Sequence, residues 1–96
     1  GVQVGFLPLQ NNANLELLEP LNSDSTLRKF LDKRGPGIHH ICLRVKDIRA
    51  VLAQLKEKGV RLLNEQPKVG AHNCLVAFIH PASAGGVLIE LSQKSE

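Results

Sequence analysis

Apolar residues recur with a helical period in one stretch, which is the clearest element of the chain. The positions at i, i+3, i+4 and i+7 are Ile48, Val51, Leu52 and Leu55. This spacing places four apolar side chains on one face of an α-helix. Asp47 before the stretch is a favourable N-cap residue, and Gly59 after it is a favourable stop. The pattern therefore predicts a helix over residues 48–58.

Short apolar or alternating runs on both sides of this helix predict β-strands. The predicted strands cover residues 2–9, 15–18, 38–45, 60–63, 74–79 and 87–92, and a shorter helix covers 26–33. Pro67 and Gly70 interrupt the stretch 65–73, which we predict to be a loop or an irregular edge. From Ile38 onward the predicted order is β-α-β-β-β.

Composition and charge limit the classes of function that remain open. The chain has 96 residues, 43% of them apolar, which fits one small folded domain or part of one. Its net charge of +3 comes from scattered basic residues, so we expect neither nucleic acid nor a charged membrane surface as a partner. No apolar run approaches the roughly 20 residues that a membrane span needs. The two cysteines form no CxxC motif, which favours a reducing compartment.

Three of the predicted strands carry a polar residue opposite their apolar side chains. Side chains alternate between the faces of a strand, so His40 lies opposite the apolar stripe of its strand, as do Glu16 and Glu90 in theirs. We predict that these three residues share one face of one sheet and bind a divalent metal ion. We expect the apolar stripe of the central strand, Ile41, Leu43 and Val45, to pack beneath the helix that follows. The same alternation places His39 on this helix-packed side as a structural residue.

An acid within an apolar strand is costly to bury unless it is paired or bound to a cation. Glu90, between Ile89 and Leu91, is the sharpest example. Two other interpretations stay open, namely a partly solvated carboxylate on an open sheet face or an ion pair with Arg44. One imidazole and two carboxylates suit Mn²⁺, Co²⁺, Zn²⁺ or Mg²⁺.

Six segments together resemble one known family. They are FLPL, LELLEPL, GIHHICLRV, the GAH of residues 70–72, FIHP and GGVLIEL. The sequence is similar to the methylmalonyl-CoA epimerase family of the vicinal-oxygen-chelate (glyoxalase) superfamily, over its C-terminal two-thirds. The resemblance implies an α+β fold of glyoxalase-like βαβββ modules, with a mixed, curved sheet forming a metal-binding cup. Residues 1–34 would be the end of the first module plus a linking helix, and residues 35–96 the complete second module.

The resemblance also implies a reaction, namely the epimerisation of methylmalonyl-CoA at C2 through a metal-stabilised enolate. His40, Glu90 and Glu16 match metal ligands of the family, and Glu90 also matches a catalytic base. The expected metal is Co²⁺ in first place, with Mn²⁺, Zn²⁺ and Mg²⁺ as alternatives; no other cofactor is expected. His72 is a candidate for contact with the substrate, the alternative being a solvated loop histidine.

The family pattern has a histidine ligand and a second base upstream of the position that Gly1 occupies. We therefore expect negligible epimerase activity from the isolated 96-residue polypeptide. Exposed sheet edges lead us to expect a homodimer. Family members work in the mitochondrial matrix or the bacterial cytoplasm. Three other functions stay open as alternatives to an epimerase. They are a glyoxalase-type isomerase, a non-haem iron dioxygenase and a metal-free binding protein on the same fold.

Overall fold

The computed structural model describes residues 2–94 and divides the chain into two compact units, residues 1–37 and 38–96. Gly1, Ser95 and Glu96 lie outside the described residues. Neither helix within residues 2–94 is long and apolar enough to cross a bilayer. The assignment of residues 1–34 and 35–96 to two family modules stays a prediction.

The first unit is a β-hairpin followed by a helix. Strands β1 (Val2–Pro8) and β2 (Asn14–Pro20) pair antiparallel, joined through a short 3₁₀ turn at Gln10–Asn12. Helix α1 (Thr26–Arg34) begins where the Ser25 hydroxyl accepts a hydrogen bond from the Arg28 N–H at 3.0 Å. Gly35, at a φ of 74°, ends it as predicted.

The second unit has the predicted βαβββ order. It contains β3 (His40–Arg44), α2 (Ile48–Glu57), β4 (Lys68–Val69), β5 (Leu75–Ile79) and β6 (Leu88–Gln93). The strands lie in the order β3-β6-β5-β4; β3 and β6 are parallel, and the other neighbours are antiparallel. The prediction of an α+β fold with a mixed sheet is confirmed.

The predicted strand at 60–63 is wrong. Leu62 forms one isolated bridge with Ile79, and the strand that follows α2 is β4, inside the predicted irregular segment. A strand does not form at 60–63 because the Asn64 side chain competes for a hydrogen bond of β5. Its Oδ1 atom accepts from the Phe78 N–H at 2.9 Å. A side-chain amide thus takes the place of a neighbouring strand at that position of β5, and the ladder does not extend.

Helix α2 covers β5 and β6 with the predicted apolar stripe. Ile48 and Leu52 form the buried core with Ala77 of β5 and Leu91 of β6. Beyond the helix, the Gly59 N–H donates to the Lys56 carbonyl and the Val60 N–H to the Leu55 carbonyl. These two bonds are a Schellman motif, which requires the left-handed φ of 82° that glycine readily adopts.

Strand β3 is an edge strand, which changes the predicted burial of its apolar residues. Its register places Ile41 opposite Ile89 and Leu43 opposite Leu91, on the predicted face. However, Ile41 is 42% exposed and Leu43 50%, because α2 packs over β5 and β6 instead. The expectation that Ile41 and Leu43 pack beneath the helix is therefore wrong, whereas Val45, directly after the strand, does pack against the core.

Candidate metal centre

Two of the three predicted ligands come together on the sheet face away from α2. In the parallel register, His40 lies opposite Leu88 and Cys42 lies opposite Glu90, so His40 and Glu90 are diagonal neighbours on one face. The His40 Nε2 atom lies 3.4 Å from the Glu90 Oε1 atom. The two side chains are 19% and 21% exposed, so solvent reaches both while the sheet restricts them. Parallel pairing of strands 50 residues apart in sequence creates this juxtaposition.

Glu16, the third predicted ligand, lies in the first unit. It is exposed in β2, opposite Phe6, within the two-stranded sheet. The prediction that all three residues share a single sheet is wrong, because the backbone of β2 pairs with β1, whereas His40 and Glu90 belong to the four-stranded sheet. The role of Glu16 as a ligand stays a prediction.

His39 has a different environment from the one expected. Strand β3 begins at His40, so strand alternation does not extend to His39. Instead, its Nδ1 atom lies 2.9 Å from the Nδ1 atom of His40, and the two rings meet edge to face at 86°. Burial, and secondly charge on His40, lower the pKa of His39 below its ordinary value. His39 is therefore favoured in its neutral form at neutral pH.

The residues around Glu90 define its surroundings on the sheet. Phe78 of β5 and Cys42 of β3 lie directly opposite Glu90 on either side. Sequence reasoning did not select Phe78 for the site, although the FIHP segment contains it. The structure shows a close approach between Glu90 and His40, and the alternative pairing of Glu90 with Arg44 stays a prediction.

His72 lies in an exposed 3₁₀ turn, Ala71–Asn73, with a φ of 55°. This turn leads into β5 at Leu75, which lies opposite Gln93 at the far end of β6 from Leu88. His40 lies beside Leu88, so about five residues of strand, on the order of 16 Å, separate the two ends. The turn thus precedes β5 at the end of the sheet away from His40, and contact of His72 with substrate stays a prediction.

The donors present fit part of a metal site. A neutral imidazole nitrogen and a carboxylate oxygen are both ligands that Zn²⁺, Co²⁺ and Mn²⁺ accept. Within residues 2–94 no group of three or more such side chains is arranged to hold an ion. His40 and Glu90 therefore fit two ligands of a site that needs further donors.

Comparison with known proteins places this arrangement in a family. Residues 1–78 match the family described as the Glyoxalase/Bleomycin resistance protein/Dioxygenase superfamily. The chain belongs to this superfamily. The predicted resemblance is confirmed.

Three relatives illustrate the similarity. The mitochondrial methylmalonyl-CoA epimerase of Bos taurus is 48% identical over 94 residues, covering 97% of this chain and 53% of that protein. An ethylmalonyl-CoA/methylmalonyl-CoA epimerase of Cereibacter sphaeroides is 47% identical, covering 97% of this chain and 70% of that protein. The crystal structure of methylmalonyl-CoA epimerase from Mycobacterium tuberculosis superposes with a TM-score of 0.86 at 42% identity, over 100% of this chain and 65% of that one. The chain thus spans about half the length of the mitochondrial relative.

Proposed function

We propose that this chain belongs to an epimerase that interconverts the two configurations at C2 of methylmalonyl-CoA. The observation that carries the proposal is the His40–Glu90 pair, 3.4 Å apart on the face of the four-stranded sheet opposite α2. The pair lies in a fold shared with proteins named methylmalonyl-CoA epimerase. Relatives of that name occur in mitochondria and in bacteria, which supports the mitochondrial matrix or the bacterial cytoplasm as the compartment.

Epimerisation requires removal of the proton at C2 and its return on the opposite face. In the proposed reaction the Glu90 carboxylate takes the C2 proton, and the electron pair of the C–H bond moves into the thioester as an enolate. A second acid on the other face returns a proton to C2. Because Glu90 is only partly exposed and lies beside Phe78, its carboxylate is less solvated than a surface acid, which favours proton abstraction.

His40 and Glu90, with Glu16 as the proposed third ligand, would hold a divalent cation, Co²⁺ in first place and Mn²⁺, Zn²⁺ or Mg²⁺ otherwise. Such an ion supplies Lewis-acid stabilisation of the negative charge that develops on the enolate oxygen. We also propose contact between His72 and the acyl-CoA substrate, and a homodimer as the assembly.

Metal binding tests the proposal first. The purified protein is titrated with Co²⁺ while the d–d absorption bands are recorded. We expect stoichiometric bands for the wild type and their loss in His40→Gln and Glu90→Gln. The matched controls are His80→Asn and Glu65→Gln. Asparagine at position 80 still accepts the Ala82 N–H bond, and Glu65 is an exposed partner of Lys56.

The reaction itself is tested by exchange of the C2 proton of methylmalonyl-CoA with D₂O, followed by mass spectrometry with the full-length protein. We expect exchange that Glu90→Gln abolishes and Glu65→Gln preserves. Exchange at the wild-type rate in Glu90→Gln would contradict the role of Glu90. Oxygen consumption on a catechol with Fe(II) would favour the dioxygenase alternative, and the absence of stoichiometric Co²⁺ bands would favour a metal-free binding protein.

A further inference from the structure

The two adjacent histidines share one hydrogen bond between like atoms. The Nδ1 atoms of His39 and His40 lie 2.9 Å apart, a normal donor–acceptor distance. A neutral imidazole carries its single proton on one nitrogen and a lone pair on the other. One of the two Nδ1 atoms must therefore be protonated and the other bare, so the tautomers of the two rings are coupled.

The other ring nitrogen of His40 decides the direction of this bond. His40 Nε2 faces Glu90 Oε1 at 3.4 Å, which makes Nε2 the atom available to a cation held by the pair. A nitrogen that gives its lone pair to a metal carries no proton, so the proton of His40 must lie on Nδ1. In that state His40 donates from Nδ1, and His39 must accept at a bare Nδ1.

We propose that His39 is a positioning residue for His40, accepting its Nδ1 proton and thereby keeping His40 Nε2 unprotonated and directed at the metal. This inference rests on the proposed metal-binding role of His40. His39 keeps its own proton on Nε2, so each ring retains one proton and none is lost from the pair.

His40 needs a hydrogen-bond acceptor at Nδ1 because Glu90 favours protonation of the other ring nitrogen, Nε2. In the absence of a cation, its carboxylate beside Nε2 favours the His40 tautomer protonated at Nε2, which leaves Nε2 without a lone pair for a metal. His39 opposes that preference by offering an acceptor to the other nitrogen. The edge-to-face contact, with ring centroids 5.2 Å apart, also limits rotation of the His40 ring.

The chain offers a matched pair of variants at position 39. In His39→Asn the side-chain oxygen occupies nearly the place of Nδ1 and still accepts, whereas His39→Leu has a similar branched shape and no acceptor. We expect His39→Leu to weaken Co²⁺ binding by roughly 10- to 100-fold, as for other partners of metal-binding histidines. His39→Asn should retain most of the affinity. Equal affinities of the two variants would overturn the proposal.

Nitrogen NMR of the wild-type protein provides a readout that does not depend on either variant folding. In ¹⁵N-labelled protein loaded with diamagnetic Zn²⁺, we expect a scalar coupling between the two Nδ1 nuclei across the hydrogen bond. We also expect His39 to be protonated at Nε2. Protonation of His39 at Nδ1 in the loaded protein would overturn the proposal.

The outcomes separate this inference from the proposed function. If His40→Gln abolishes the Co²⁺ bands while His39→Leu binds Co²⁺ like the wild type, only the proposed positioning role of His39 is contradicted. If His40→Gln binds Co²⁺ like the wild type, His40 is not a ligand and both proposals fall.

Discussion

His40 shows how much one residue depends on its neighbours in the sheet. Alternation within its own strand is enough to place it on the face opposite Ile41 and Leu43, and the structure has it there. The contact with His39 was not predicted, because we assumed a strand beginning at Ile38, whereas β3 begins at His40. The HH doublet was the available signal, but two adjacent residues of a continuous strand would point to opposite faces.

A prediction at the scale of single residues concerns Gly70, whose backbone lies against Val76. A β-carbon at position 70 would lie 3.0 and 3.1 Å from the two Val76 methyl groups. We expect Gly70→Ala to lower the free energy of unfolding by about 1–3 kcal/mol through this overlap. Chemical denaturation measures the change.

The matched control is Gly37→Ala, because a β-carbon there meets no atom within 4 Å. That substitution should be neutral or slightly stabilising. In a double-mutant cycle, Val76→Ala should relieve part of the Gly70→Ala cost. Additive effects of the two substitutions would show that the methyl contact is not the cause.

Among the elements, α2 is the one whose sequence specifies both its ends and its buried face. The Asp47 carboxylate accepts from the Ala50 N–H at 3.1 Å, Gly59 adopts the left-handed conformation, and the apolar stripe faces the sheet. All three signals are local and agree with one another. The strand predicted at 60–63 had only an apolar run in its favour, and the Asn64 side chain competes there for the Phe78 N–H.

The N-cap of α2 gives a prediction at the element scale. We expect Asp47→Ala to destabilise the protein by about 1 kcal/mol, because the Ala50 N–H loses its acceptor. Asp47→Asn should retain most of the stability, since asparagine also caps well. Thermal unfolding followed by circular dichroism compares the three proteins. A loss in Asp47→Asn as large as in Asp47→Ala would argue against the cap.

A second acceptor at the same end of α2 comes from β6. The Gln93 Oε1 atom accepts from the Ile48 N–H at 2.8 Å, and Ile48 is fully buried. We expect Gln93→Leu to cost about 1–3 kcal/mol, because the substitution leaves a buried donor without its acceptor. Gln93→Glu keeps an acceptor near the positive end of the helix and should cost much less. Equal losses from the two substitutions, measured by urea denaturation, would refute this explanation.

At the scale of the whole molecule, stability of the second unit depends on a small aliphatic core. Ile48, Leu52, Ala77 and Leu91 come from α2, β5 and β6, and they hold the helix against the two central strands. This is the face opposite His40 and Glu90, so the core supports the sheet without contributing side chains to the candidate site. Strand β3 joins the sheet mainly through its backbone pairing with β6.

Leu52 provides a prediction for this core. Its side chain is 3% exposed, and we expect Leu52→Ala to lower the free energy of unfolding by about 2–5 kcal/mol. Leu63→Ala is the control, since Leu63 is 54% exposed and surface truncations usually change stability by less than about 0.5 kcal/mol. Urea denaturation distinguishes the two, and similar losses would contradict the assigned core.

The sequence by itself determined most of the elements, helix α2 with its caps, and the faces on which His40 and Glu90 lie, although it misplaced the strand that follows α2. These features follow from local periodicity and from residues that favour particular backbone conformations. Only the tertiary structure decided that β3 pairs parallel with β6, which brings His40 within 3.4 Å of Glu90. It also decided that Glu16 belongs to a separate sheet and that His39 contacts His40. Pairing between distant strands depends on backbone hydrogen bonds that are alike at every residue, so no local pattern specifies which strands become neighbours.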